Sequence, residues 1–213
     1  MRLFGSTDSG HSYKVRSFLL LNGIAHDYQW VDLALAPTQR HADFAAASRY
    51  GEVPALLDDG QALCQSNAIL IHLAQRHNAL RGAPGEWQRV LEWLSWEANR
   101  IGFSVPNLRY KLLWAAPAPA PAVLDYLNAR ALADLATLEQ TLAGSAFLLA
   151  SGPSIADISC SAYLFWLHQI GIAEDDYPHV ARWLARLRAL PGWVHPDQAM
   201  RADFSPSARH IAA

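Results

Sequence analysis

Over residues 1–78 the apolar positions change period repeatedly, from alternation to helical spacing and back. MRLFG at 1–5 predicts a short strand, and SYKVRSFLLLNG at 12–23 a helix stopped by Asn22-Gly23. AHDYQWVDL at 25–33 alternates and is rich in aromatics, so it predicts a second strand. TQRHADFAAAS at 38–48 predicts a modest helix, and VPALLDD at 53–59 a buried strand. Asp59-Gly60 then reads as a turn leading to a returning strand, QALCQ at 61–65. SNAILIHLAQRHN at 66–78 is a strongly apolar helix begun by Ser66. Helices lie between most of these strands, which implies a layered α/β unit.

The alternation then ends. ALRGAPGE at 79–86 has the Gly and Pro content of a linker, and no convincing strand follows it. EWQRVLEWLSWEANRIGF (86–103) is amphipathic, with Trp87, Trp93 and Trp96 in a stripe; Pro106 is expected to kink or break the helix just beyond it. AVLDYLNARALADLATLEQTLAG (122–144) predicts a long helix ended by Gly144. SIADISCSAYLFWLHQIG (154–171) is apolar nearly all round and belongs in the middle of a bundle, and HVARWLARLRAL (179–190) is a shorter helix closed by Pro191-Gly192. The fold class is α/β plus all-α: an α/β domain over 1–78, a linker over 79–85, an α-helical domain over 86–202 and a tail over 203–213.

Composition narrows the function classes. The 213 residues are 52% hydrophobic and 17% charged, with a net charge of −2, so the chain fills a core and offers no basic face for nucleic acid. No apolar run approaches the roughly 20 residues of a membrane helix, and nothing at the start reads as a signal peptide, so a cytoplasmic location and no membrane partner are expected. Cys64 and Cys160 are far apart and outside any C-x-x-C spacing, which argues against a disulfide framework and a metal site.

Three polar stretches could carry chemistry. Ser9-Gly10-His11-Ser12 falls at the turn into the first helix, whose leading amides lack intrahelical partners and favour negative charge. Ser9 or Ser12 could simply cap that helix, or a hydroxyl there could donate to a thiolate, oxyanion or carboxylate. His11 is open between a solvated surface ring and a group adding positive field. Gly51-Glu52-Val53-Pro54 precedes a strand, and the proline admits a trans or a cis bond. Gln65-Ser66-Asn67 opens the next helix; Ser66 is a sufficient N-cap, or a carboxylate could dock on its hydroxyl and the amides behind it.

The order of these stretches, a helix-opening serine, a Val-Pro turn before a short strand and a polar-Ser-Asn helix start, resembles the glutathione transferase family. The resemblance spans roughly residues 1 to 200 and includes SIADISCSAYLF, where Ser154 caps a buried helix and Asp157 locks its first turn. It implies a thioredoxin-like N-terminal domain, an α-helical bundle, glutathione as co-substrate, no metal, and a homodimer. It implies further that Ser9 hydrogen-bonds the glutathione sulfur, with His11 beside it, that Val53, held by a cis Pro54, pairs its backbone with the cysteinyl part, and that Gln65 and Ser66 receive the γ-glutamyl carboxylate and amine. Gln39, Arg40 or His41 would face the glycyl carboxylate. Glu52, just before Val53, also counts among the implied glutathione contacts, and the sequence departs from the family at two places: many members carry an acid where Gln65 stands, pairing with the ligand's ammonium, and often a basic residue where Glu52 stands.

The implied activity is conjugation of the glutathione thiolate to small hydrophobic electrophiles. The electrophile is expected against WEANRIGFSVPNLRYKLLW, with Asn99, Arg100, Phe103, Asn107 and Tyr110 as contacts, Phe103 and Asn107 sharing one helical face. The same residues could instead be core and solvated surface. Three other functions stay open: glutathione-dependent disulfide or peroxide reduction, isomerisation of an unsaturated acid through transient thiol addition, and a non-catalytic binding protein on the same fold.

Overall fold

The computed structural model describes residues 1–204. It divides into two compact units, one made of Met1–Ala79 with the described residues from Arg188 onward, the other of Leu80–Leu187.

The first unit is a four-stranded sheet with helices. β1 (Arg2–Gly5), α1 (Gly10–Leu21), β2 (Asp27–Trp30), α2 (Ala42–Ala47), β3 (Ala55–Asp58), β4 (Gln61–Cys64) and α3 (Ser66–His77) follow in chain order. The strands lie in the order β2-β1-β3-β4, with β1 parallel to β2 and antiparallel to β3, which is the thioredoxin-like arrangement. The β3–β4 hairpin pairs Ala55 with Cys64 and Asp58 with Gln61, and its turn takes positive φ at both Asp59 (47°) and Gly60 (81°), the twist that matches paired strands. Leu3 and Phe4 of β1, Leu56 of β3, Val15, Phe18 and Leu19 of α1, and Ile69, Leu70 and Leu73 of α3 have no exposed surface. Each such side chain contributes about 1.5–3 kcal/mol of apolar burial. The expected helix over 38–48 is in fact a 3-10 turn, Pro37–Gln39, followed by α2, because the His41 Nδ1 accepts from the Asp43 amide and caps a new start.

The segment after Arg188, which the sequence reading assigns to the helical domain, packs on α1. Tyr13 donates its hydroxyl to the Val194 carbonyl at 2.9 Å. Gly192, at φ 81°, lies so close to the end of α1 that a Cβ there would stand 2.6 Å from the Leu20 carbonyl oxygen. Arg16, 1% exposed, donates to the carbonyls of Ala199, Arg201 and Phe204, and its guanidinium lies 3.6 Å over the Tyr28 ring. Burial draws its pKa down to about 10. The short helix α9 (Pro196–Ala199) is held there; α8, just before it, runs Pro178–Arg188.

The second unit is helical: α4 (Trp87–Asn99), α5 (Ile101–Leu113), α6 (Pro121–Leu142), α7 (Ile155–Ser161) and most of α8. The break expected at Pro106 falls instead at Arg100, where φ and ψ are −119° and −107°, and α5 runs through Pro106. The buried Glu97 side chain occupies the space beside Gly102, and its Oε2 accepts from the Ser159 hydroxyl at 3.1 Å. The single apolar helix expected over 154–171 is α7 followed by a 3-10 segment, Leu164–Ile170, with Trp166 outside helical geometry. Ser154 caps α7, and Asp157 accepts from the Ser154 amide and hydroxyl, the Leu148 amide and the Trp183 indole, all at 2.9 Å. Among the described residues no helix is long and apolar enough to cross a membrane.

Candidate functional site

The sheet places three helix and strand starts of the first unit where the sequence put its polar stretches. Ser9 is the N-cap of α1, with φ −93° and ψ 103°. Its Oγ accepts from the Ser12 amide at 3.1 Å and from the Ser12 hydroxyl at 3.0 Å. A serine hydroxyl has two acceptor positions and one proton. Ser9 Oγ thus caps α1 and lies within hydrogen-bond distance of a second hydroxyl, that of Ser12. The polar groups at this turn therefore include the helix cap expected of Ser9, with a second hydroxyl beside it. His11 is half-buried on the first turn of α1.

Val53 and Pro54 are joined by a cis peptide bond. Val53 precedes β3 and lies outside the register of that strand with β1 and β4, so its main chain is not part of the ladder. The Glu52 carbonyl before it accepts from the Ser48 hydroxyl at 2.7 Å, which fixes the approach to the strand.

Ser66 starts α3 and is buried; Gln65, the N-cap, has φ 68° and makes no side-chain cap bond to the helix. Its amide Nε2 donates instead to Glu52 Oε2 at 3.1 Å. The Lys14 side chain, 1% exposed, crosses from α1 to donate to Asn67 Oδ1 at 3.3 Å. A lysine ammonium and the positive end of a 12-residue helix thus converge on the first turn of α3, an environment that favours an anion. Sequence reasoning missed Lys14. A lysine interrupting the buried side of YKVRSFLLL was the available signal, but its partner lies 53 residues away.

The three residues expected at the glycyl end are engaged locally. Arg40 donates to the carbonyls of Leu35, Leu33 and Gly51 at 2.9–3.1 Å, Gln39 Oε1 accepts from the Ala36 amide at 3.3 Å, and His41 caps α2. Of the three, Arg40 has its guanidinium committed to holding the 33–51 loop together.

In the helical unit, Phe103, Asn107 and Tyr110 share one face of α5 at i, i+4 and i+7. Phe103 and Tyr110 are exposed, and Asn107 Nδ2 donates to the Phe103 carbonyl at 2.7 Å. Asn99 and Arg100 are not on that helix. Asn99 ends α4, and its carbonyl accepts from Arg130 at 2.7 Å. Arg100 donates through Nε to Asp134 at 2.8 Å, and the Ser104 hydroxyl meets the other oxygen of that fully buried carboxylate at 2.8 Å, so Arg100 serves the α5–α6 contact. Cys64 and Cys160 are thiols rather than a disulfide. No group of three or more His, Cys, Asp or Glu that could hold a metal occurs among the described residues.

Comparison with known proteins meets this geometry. The family model for the glutathione S-transferase N-terminal domain matches residues 3–84, and the model for the C-terminal domain of the same family matches residues 121–186. The crystal structure of a glutathione S-transferase from Xanthobacter autotrophicus superposes with a TM-score of 0.81 at 34% identity, covering 91% of this chain and 95% of that one. Maleylacetoacetate isomerase of Pseudomonas aeruginosa is 27% identical over 221 residues, 98% of this chain and 100% of the isomerase. Elongation factor 1-gamma of Carassius auratus is 31% identical over 156 residues, 68% of this chain but 34% of the factor. With both domain models and a full-length structural relative in agreement with the sheet order and the helix starts, the chain belongs to the glutathione S-transferase family.

Proposed function

We propose that this protein is a glutathione transferase that uses the Ser9 hydroxyl to stabilise the glutathione thiolate and joins the sulfur to small hydrophobic electrophiles. The observation that carries the reading is the place of the Ser9 hydroxyl, at the start of a 12-residue helix and 3.0 Å from the Ser12 hydroxyl. A free thiol has a pKa of about 8.5 and is mostly protonated at neutral pH. One hydroxyl donor together with a helix N-terminus supplies about one to two units of depression, each worth about 1.4 kcal/mol. The thiol proton leaves to solvent, and the sulfur lone pair forms the new C–S bond. The displaced electrons go to a leaving group, or to an unsaturated carbon that then takes up a proton.

Residues 1–78 supply the glutathione contacts in this reading. Val53 offers its unladdered main chain to the cysteinyl unit, and Ser66, the leading α3 amides and the Lys14 charge behind them receive the γ-glutamyl carboxylate. The Phe103–Asn107–Tyr110 face of α5 receives the electrophile. A reducing, cytoplasmic setting and a homodimer complete the proposal. The full-length match to an isomerase favours a second reaction on the same thiolate, reversible addition to an unsaturated acid.

Calorimetric titration of glutathione into wild type, Ser9→Ala and Ser66→Ala, with ultraviolet detection of bound thiolate against pH, tests the proposal. Ser66→Ala is expected to weaken binding about tenfold. Ser9→Ala is expected to bind glutathione but raise the thiol pKa by about one to two units. No binding to wild type at millimolar glutathione would overturn it and favour a non-catalytic role. With glutathione bound, a thioether product separates conjugation from reduction, which yields oxidised glutathione.

A further inference from the structure

Glutathione ends in a free α-amino acid, so its ammonium and its γ-glutamyl α-carboxylate sit on the same carbon. Once the carboxylate is docked on the first turn of α3, the ammonium must find an acceptor beside that turn, and a charged one serves far better than a neutral one. Two side chains meet there. The β3–β4 register brings the residues before Ala55 alongside those after Cys64, and across that gap Gln65 Nε2 donates to Glu52 Oε2 at 3.1 Å. The other acids of the hairpin, Asp58 and Asp59, stand at its opposite end, bonded to His72 and Arg76.

We propose that Glu52 is the residue that binds the ammonium of the ligand, with Gln65 as its positioning residue; this rests on the glutathione reading given above. Glu52 is exposed, its main chain is pinned by Ser48, and Gln65 fills one acceptor position on one carboxylate oxygen. Its other oxygen is left to meet an N–H donor. Gln65 cannot do the work alone, because its amide is neutral and its Nε2 is turned toward Glu52. The pair would make the site selective for thiol peptides that carry a free α-ammonium, a preference set by the residue before Val53 rather than by the one before Ser66.

The test compares glutathione with its deamino analogue, glutaryl-cysteinyl-glycine, by calorimetry on wild type, Glu52→Gln and Gln65→Met. Wild type is expected to prefer glutathione by about tenfold, the worth of one charge-assisted hydrogen bond. Glu52→Gln is expected to lose that preference while binding the analogue as wild type does, and Gln65→Met to lose part of it. A Glu52→Gln variant that keeps the preference, or weakens both ligands equally, overturns the assignment and leaves the glutathione reading intact. Wild type that binds neither ligand overturns both.

Discussion

A serine at a helix start normally meets one backbone amide; Ser9 meets the Ser12 amide and has the Ser12 hydroxyl beside it. The sequence displays this chemistry because helix starts are local: Ser9, Ser66 and the Val53-Pro54 step can each be located from neighbours within a few residues. Lys14 and Arg16 could not be read the same way. Each sits in a helix that the pattern presents as apolar, and each finds its partner, Asn67 for one and the Ala199 carbonyl for the other, through the tertiary fold. His26 is different, since its partner is local and its burial is what the pattern hides. Its Nδ1 donates to the Ile24 carbonyl at 2.8 Å, its buried Nε2 has no partner among the described residues, and burial holds the ring below its ordinary pKa of 6.5. The folded state therefore prefers the neutral ring, while the unfolded chain takes up a proton as pH falls below about 6.5. This contribution to stability is complete above that pH and is lost on acidification. Urea midpoints across pH 5–7.5 should show His26→Asn losing less stability than wild type toward the acid end.

At the scale of elements, period and punctuation gave the strands and most helices, and failed where a side chain from another element decides the geometry. Pro106 is the conspicuous helix breaker in the α5 stretch, yet the chain bends at Arg100. The Glu97 carboxylate is buried at the bend and fills the place a Cβ on Gly102 would need: Oε1 would lie 1.8 Å from it. Gly102→Ala should force that carboxylate aside and lower stability by about 1–3 kcal/mol, read as a lower urea midpoint at unchanged slope. The bend also explains why Asn99 and Arg100 separate from Phe103, Asn107 and Tyr110: helical spacing placed them near one face only for an unbroken helix.

At the scale of the whole molecule, the first unit is built from two stretches of sequence, with the helical unit inserted between them. Arg16, Tyr13 and Gly192 are what join the later stretch to α1. Arg16→Met should leave the sheet formed while the main chain around Ala199 and Phe204 exchanges its amide hydrogens faster, since three carbonyls lose their donor. An unchanged exchange pattern there would show that the contacts hold nothing.

That joining has a consequence for synthesis. A ribosome that has made residues 1–79 has not yet made everything the first unit packs against, because the Arg188–Phe204 stretch comes only after the intervening helices. At about 5–20 residues per second the delay is on the order of ten seconds. For that interval Arg16, which ends up inside the protein, remains in solvent on the nascent chain, and the unit that begins emerging first is among the last to be finished.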